Sequence, residues 1–227
     1  MMRILLAFVI ALLPMAAVAA EPVQPKAAKP ILSRAVPIRH ITPGIEVLLS
    51  DRLELLAGKR VALLTNQTGV DRKGVRNIDL LRAHPAINLV ALFSPEHGVR
   101  GVAQAGEKVA SGLDSKSGLP VHSLYGETKM PTAKMMQGID IVLVDLQDIG
   151  TRFYTYSSTL LYMLRAAETS GAEVIVLDRP NPLGGMMIEG PVLEPAFTSF
   201  VGSFAIPVRH GMTFGELAQM FVGENKL

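Results

Sequence analysis

The sequence has no cysteine in its 227 residues, no surplus of charge of either sign, and one long apolar run, at its N-terminus. Without cysteine there is no disulfide framework and no thiol to carry a lipid, so packing must supply the stability of an exported domain. With 22 Lys+Arg against 20 Asp+Glu, the net charge of +2 leaves no electrostatic footprint for nucleic acid. The stretch "TNQTGVDRKG" after the first apolar run lacks the close-set glycines that let a pyrophosphate approach the backbone, and no P-loop occurs. No nucleotide or other cofactor is therefore expected. The five histidines, His40, His84, His97, His122 and His210, form no helical pair and no tight His/Asp cluster. Glu96, Asp145 and Asp148 would offer a hard cation only scattered carboxylates, so no metal is expected.

The N-terminal run "MMRILLAFVIALLPMAAVAA" has an early Arg3, a core interrupted by Pro14, and small residues at Val18, Ala19 and Ala20. That layout predicts a cleavable secretory signal over residues 1–20, with an uncleaved anchor as the alternative. "EPVQPKAAKP" follows, with three prolines in ten residues, and opens an extended linker over residues 21–43. The expectation is a protein exported to the periplasm or secreted, with no stable membrane insertion once the signal is removed.

Residues 44–227 read as one folded domain. "GIEVLLSDRLELLAGK" has helical apolar spacing and is closed by Gly58, while "NIDLLRAHP" is helical up to Pro85. "RVALLTN", "INLVALF", "IDIVLVD" and "EVIVLD" are short apolar runs without polar alternation, as in strands covered on both faces. "YSSTLLYMLRAAETSG" is an amphipathic crossover helix, and Thr213 with Glu216 forms a capping box ahead of the last helix. The expected fold is α/β: a Rossmann-like three-layer sandwich around a mostly parallel sheet.

In such a sheet ligands sit beyond the carboxyl ends of the strands. Four polar segments fall there: "TNQTG" with Asn66, "SPEHGVRG", "DLQDIGTRFYTY" and "LDRPNPLGG". Glu96 is a general acid or base with His97 and Arg100 beside it, or else a turn-capping carboxylate paired with Arg100. Asp145 and Asp148 bracket a strand end, followed by Arg152 and Tyr154. That set would suit a sugar acid, since a guanidinium grips a carboxylate through two parallel bonds and a tyrosine offers both a ring face and a hydroxyl. A local Asp148–Arg152 ion pair is the plainer reading. Pro180 and Pro182 stiffen the loop presenting Asp178, Arg179 and Asn181, with a purely structural turn equally open for Asn181. Glu189 lies on a Gly/Pro-bounded turn, and His210 precedes the last helix, where it would cap it or line the cleft.

Five segments taken together, "SPEHGVRG", "DLQDIGTRFYTY", "LDRPNPLGG", "EGPVLEPAFTSFVG" and "IPVRHGMTFGELA", resemble the exo-β-N-acetylmuramidases, a family long described as a domain of unknown function. The resemblance runs in order from about Gly44 to the last helix. It implies a Rossmann-like catalytic domain over residues 44–227, with a cleft shared with a second, C-terminal domain that this sequence does not reach. It implies release of terminal N-acetylmuramic acid from peptidoglycan-derived muro-saccharides. Glycoside hydrolysis needs one group to protonate the leaving oxygen and another to activate water or stabilise the oxocarbenium-like state. By its motif Glu96 is the leading acid/base, Glu189 its partner and Asp148 the competitor for that second role. Asn66, His97, Arg100, Asp145, Arg152, Tyr154, Arg179, Asn181 and His210 are the expected substrate-binding residues, with Arg152 or Arg179 facing the lactyl carboxylate. The competing class is an exported binding domain that captures a cell-wall sugar or another small anionic ligand without turnover.

Overall fold

The structure, a computed structural model, describes residues 41–227. The expected signal segment and the linker up to residue 40 lie outside the described residues.

Six strands form one sheet: β1 (Arg60–Thr65), β2 (Asn88–Ser94), β3 (Gly112–Leu113), β4 (Pro120–Ser123), β5 (Ile141–Asp145) and β6 (Glu173–Val176). Their order is β3-β4-β2-β1-β5-β6, parallel throughout except for β3 against β4. The helices are α1 (Gly44–Asp51), α2 (Asn77–Ala83), α3 (Ala133–Met136), α4 (Thr155–Ser170) and α5 (Phe214–Asn225). The chain steps outward from β1 through β2 to β4, then returns to the other side of β1 for β5 and β6. The strand order therefore reverses between β1 and β5, the place where a doubly wound sheet opens a crevice.

The unbroken apolar strands are explained by two cores. Ala62, Leu64, Val142 and Val144 face α3, α4 and α5, whereas Val61, Leu63, Ile141 and Leu143 face α1 and α2. Successive side chains point to opposite faces, so a strand buried on both sides has no position left for a polar residue. Each fully enclosed aliphatic side chain stabilises the fold by about 1.5–3 kcal/mol. Helix α4 stops where Gly171 takes a left-handed conformation, and α5 starts at the expected capping box of Thr213 and Glu216.

Two features depart from the reading of the sequence. The helical pattern from Gly44 to Gly58 is broken at Arg52, and a 3₁₀ turn, Leu53–Leu56, follows. A continuous helix would have put Leu55, seven residues after Leu48, on the buried face; the break buries Leu56 instead and leaves Leu55 43% exposed. Strand β4 and its short partner β3 had no pattern of their own, because four residues are too few to show a period. Between β6 and α5 the chain makes a long excursion over residues 177–213, tied back by bridges from Arg209 to Thr151 and Glu189. Among the described residues no helix is long and apolar enough to cross a membrane.

Candidate active site

Glu96 emerges two residues beyond the end of β2. The turn that carries it depends on left-handed backbone at His97 (φ 71°) and Gly98 (φ 76°). A non-glycine residue held there costs about 1–2 kcal/mol, and the His97 ring is 2.9 Å from the Ala103 carbonyl through Nδ1. The Glu96 carboxylate is thereby brought to the start of α4. Its Oε2 accepts from the Thr155 hydroxyl at 2.8 Å and its Oε1 from the Gly106 amide at 2.9 Å, with the Tyr125 hydroxyl near enough to favour its charged form. Thr155 is the first residue of a sixteen-residue helix that has no side-chain cap of its own. The positive end of that helix favours a carboxylate. Burial alone would raise the Glu96 pKa, but the Gly106 and Thr155 bonds, with the Tyr125 hydroxyl and His97 nearby, hold it below its ordinary value. At neutral pH the group is ionised.

Behind Glu96 lies a buried polar layer. The Asn66 amide, fully enclosed, donates to the Tyr156 hydroxyl at 2.6 Å and accepts from Thr68. The Tyr156 and Tyr154 rings are 4.4 Å apart. Burial raises the pKa of both tyrosines, that of Tyr154 with further upward pressure from Asp148 and Glu96. Tyr154 thus stands within electrostatic reach of both carboxylates. Asp148 is 3% exposed; its Oδ2 accepts from the Gly150 amide at 2.7 Å and lies 3.2 Å from His210 Nε2, though not aligned for a hydrogen bond. Its Oδ1 is enclosed and has no partner among the described residues. The Met212 amide donates to His210 Nδ1, which leaves Nε2 to carry the proton of the neutral ring.

The structure thus groups Glu96, His97, Asn66, Asp148, Tyr154 and His210 around the ends of β1, β2 and β5. The remaining expected site residues are engaged elsewhere. Asp145 is fully buried; its Oδ1 is 2.6 Å from Arg179 Nε, and Asn77 donates to its Oδ2 at 2.9 Å. Arg100 turns away from Glu96 and forms a two-pronged pair with Asp114, at 2.9 and 2.7 Å. No Asp148–Arg152 pair forms, because Arg152 Nη1 donates to the carbonyls of Pro191 and Ile206 and staples the excursion in place. Asn181 bonds Met212 and Leu183, the structural turn that its sequence left open. Glu189 is about half exposed and pairs with Arg209 at 2.6 Å. Among the described residues no group of three or more His, Asp or Glu is placed to hold a metal ion.

Sequence reasoning missed Thr155, Tyr125, Lys129 and Phe200. The Lys129 ammonium lies 3.0 Å from the centroid of the Tyr125 ring and 4.7 Å from that of Phe200. Phe200 lies within the segment "EGPVLEPAFTSFVG" but was not singled out there, and Tyr125 belongs to no motif that stood out; the two come together from separate loops.

The family described as Exo-beta-N-acetylmuramidase NamZ, N-terminal, matches residues 61–227. Peptidoglycan beta-N-acetylmuramidase NamZ of Bacillus subtilis (strain 168) is 54% identical over 181 residues, which are 80% of this chain and 44% of that protein. Two solved DUF1343 family proteins of Bacteroides fragilis share the fold. One is 50% identical with a TM-score of 0.76, covering 82% of this chain and 47% of its own. The other is 38% identical with a TM-score of 0.70, at 82% and 48% coverage. The chain spans a little under half the length of these relatives. A match over residues 61–227, joined to a parallel sheet that assembles the same motif segments along one edge, means that this chain belongs to the exo-beta-N-acetylmuramidase NamZ family.

Proposed function

We propose that the chain carries the catalytic carboxylate of an exo-acting β-N-acetylmuramidase, which releases terminal N-acetylmuramic acid from peptidoglycan fragments. The observation that carries this reading is the setting of Glu96: a strand-end carboxylate that accepts from the Gly106 amide and the Thr155 hydroxyl at the N-terminus of α4 and is held ionised there. An ionised carboxylate in that position activates water as a base or attacks the anomeric carbon directly; it does not begin the reaction as the acid. Its partner is Asp148, backed by His210, since these two share the polar layer around Tyr154 while Glu189 points to solvent beside Arg209. Asn66, Tyr156 and His97 are positioning residues that fix Tyr154 and the Glu96 turn. Asp145, Arg179, Arg100 and Asn181 hold the loops that frame the site.

The test is release of chromophore from a chromogenic N-acetylmuramide, with Glu96→Gln lowering turnover about 10²–10⁴-fold while the thermal transition survives. Undiminished release by the variant would remove Glu96 from the chemistry. Calorimetric binding of the sugar with no release by the unaltered chain would favour the capture module. Export is part of the same proposal and rests on the layout of residues 1–20; a mature N-terminus near Glu21 supports it, and retention of Met1 on the mature protein sinks it.

A further inference from the structure

If the substrate is an acidic sugar, a cation near Glu96 should meet its carboxylate. Each arginine expected or found near the site is already engaged. Arg100 is bound by Asp114, Arg179 by Asp145 and Arg209 by Glu189. Arg152 holds backbone carbonyls of the excursion, and Arg76 holds those of Val99 and Asn66. Lys129 differs from all of them. Among the described residues no carboxylate oxygen lies within 4.0 Å of its ammonium group.

The place of Lys129 is defined by the fold. The Leu124 amide donates to the Ser94 carbonyl at 2.8 Å, which sets the end of β4 beside the end of β2. Tyr125 therefore stands next to Glu96, and burial together with the charge of that carboxylate raises the pKa of its hydroxyl. Phe200, on the excursion, folds back so that its ring centroid is 6.0 Å from that of Tyr125 and 5.8 Å from that of Tyr162 on α4. The ammonium group rests against the Tyr125 and Phe200 rings. Aromatic faces attract a cation without neutralising it, and they strip part of its water. Burial lowers the Lys129 pKa, Glu96 raises it and Lys108 lowers it further. Glu96 and a second ammonium are thus the charges that Lys129 feels.

We propose that Lys129 is the anion-reading residue of an acidic-sugar subsite adjoining Glu96, with the rings of Tyr125 and Phe200 as its floor. The ligand class is a saccharide bearing a carboxylate close to the bond under attack. This assignment rests on the muramidase reading and adds to it the residue that separates an acidic from a neutral sugar. A carboxylate entering here gains a partly dehydrated ammonium that has no competing acid to displace.

The experiment is calorimetric titration of the 227-residue chain with N-acetylmuramic acid, its carboxyl methyl ester and N-acetylglucosamine, for the unaltered protein, Lys129→Met and Lys129→Arg. The thermal transition of each variant checks that it is folded. Lys129→Met should weaken binding of the acid about 10- to 100-fold, the loss expected for a bond to a charged group, and leave the ester and N-acetylglucosamine within about twofold. Lys129→Arg should recover part of the acid's affinity, and added salt should weaken the acid alone. Equal losses for acid and ester in Lys129→Met, or no loss at all, overturn the assignment of Lys129. Equal binding of acid and ester by the unaltered chain also overturns it while leaving the muramidase reading intact. Binding of none of the three sugars by the unaltered chain counts against that reading itself, and the subsite falls with it.

Discussion

Arg179 Nε lies 2.6 Å from Asp145 Oδ1, and this pair occupies the crevice between β1 and β5 where the strand order reverses. Asn77, the first residue of α2, reaches the same place and donates to both Thr65 Oγ1 and Asp145 Oδ2. Gly69 has no room for a side chain there, since a Cβ would meet Asn77 and Thr65 at 2.2 and 2.3 Å. In dinucleotide-binding relatives of this architecture the corresponding turn leaves a gap for pyrophosphate. Here the protein's own ion pair fills it, and the candidate site lies at the ends of β1, β2 and β5, with Tyr125 beyond β4 beside it.

Breaking that pair should act on stability rather than on sugar recognition. Arg179→Ala leaves a fully buried carboxylate without its counter-charge and should cost about 3–5 kcal/mol. Chemical denaturation measures the loss. A near-normal midpoint combined with selective loss of sugar affinity would instead make Arg179 a substrate clamp.

The ionisation of Glu96 predicts a pH effect with a definite sign. Thr155→Val removes a donor to the charged form, so the Glu96 pKa rises, and the acid limb of the pH–rate profile should move to higher pH. Stability follows the same logic. A carboxyl whose folded pKa is depressed stabilises the fold above its unfolded value of about 4.3, and that contribution is lost as pH falls through the lower folded value. The variant should therefore have a shallower acid-side loss of stability than the parent; an unmoved acid limb would show that another group titrates.

At His97 the cost lies in the backbone. His97→Gly relieves a left-handed φ of 71° but gives up the Ala103 contact, so its stability should stay within about 1 kcal/mol of the parent. His97→Val puts a β-branched residue at the same φ and should be lower than His97→Gly by at least about 1 kcal/mol. Urea midpoints of the two variants decide it, and equal values would mean that the turn relaxes.

Asp114 accepts two bonds from Arg100 and two from Ser117. Arg100 in particular holds its carboxyl well below the usual range. Asp114→Asn should cost about 2 kcal/mol at neutral pH and progressively less as acid removes the charge from the parent as well. Sugar affinity should be unchanged, because this pair braces the loop after Glu96 from the side away from the carboxylate. A specific loss of sugar affinity in a stable Asp114→Asn protein would contradict this placement.

The α/β architecture was legible because burial on both faces leaves a mark in the sequence itself: "RVALLT", "IVLVD" and "NLVALFS" carry no polar residue at the positions that both cores demand. The Thr213–Glu216 box was legible because a cap is a contact between near neighbours, whereas Gly58, expected to close the first helix, lies beyond the break at Arg52. The place of Glu96 just beyond a strand end was also legible, since the apolar run that precedes it is adjacent in the chain. The break at Arg52 was not, because it answers to the core beneath Leu56 rather than to its own neighbours.

What the sequence by itself determined was the four central strands, the main helices between them, the cap of the last helix, and the collection of polar segments at one edge of the sheet, each set by residues within a few positions of one another. Only the tertiary structure decided which charge meets which. Arg179 found Asp145 from 34 positions away, Thr155 found Glu96 from 59, and Lys129 came to rest against Phe200 of the distant excursion. Pairing of this kind depends on how strands are ordered and loops fold back, and spacing along the chain holds no record of it.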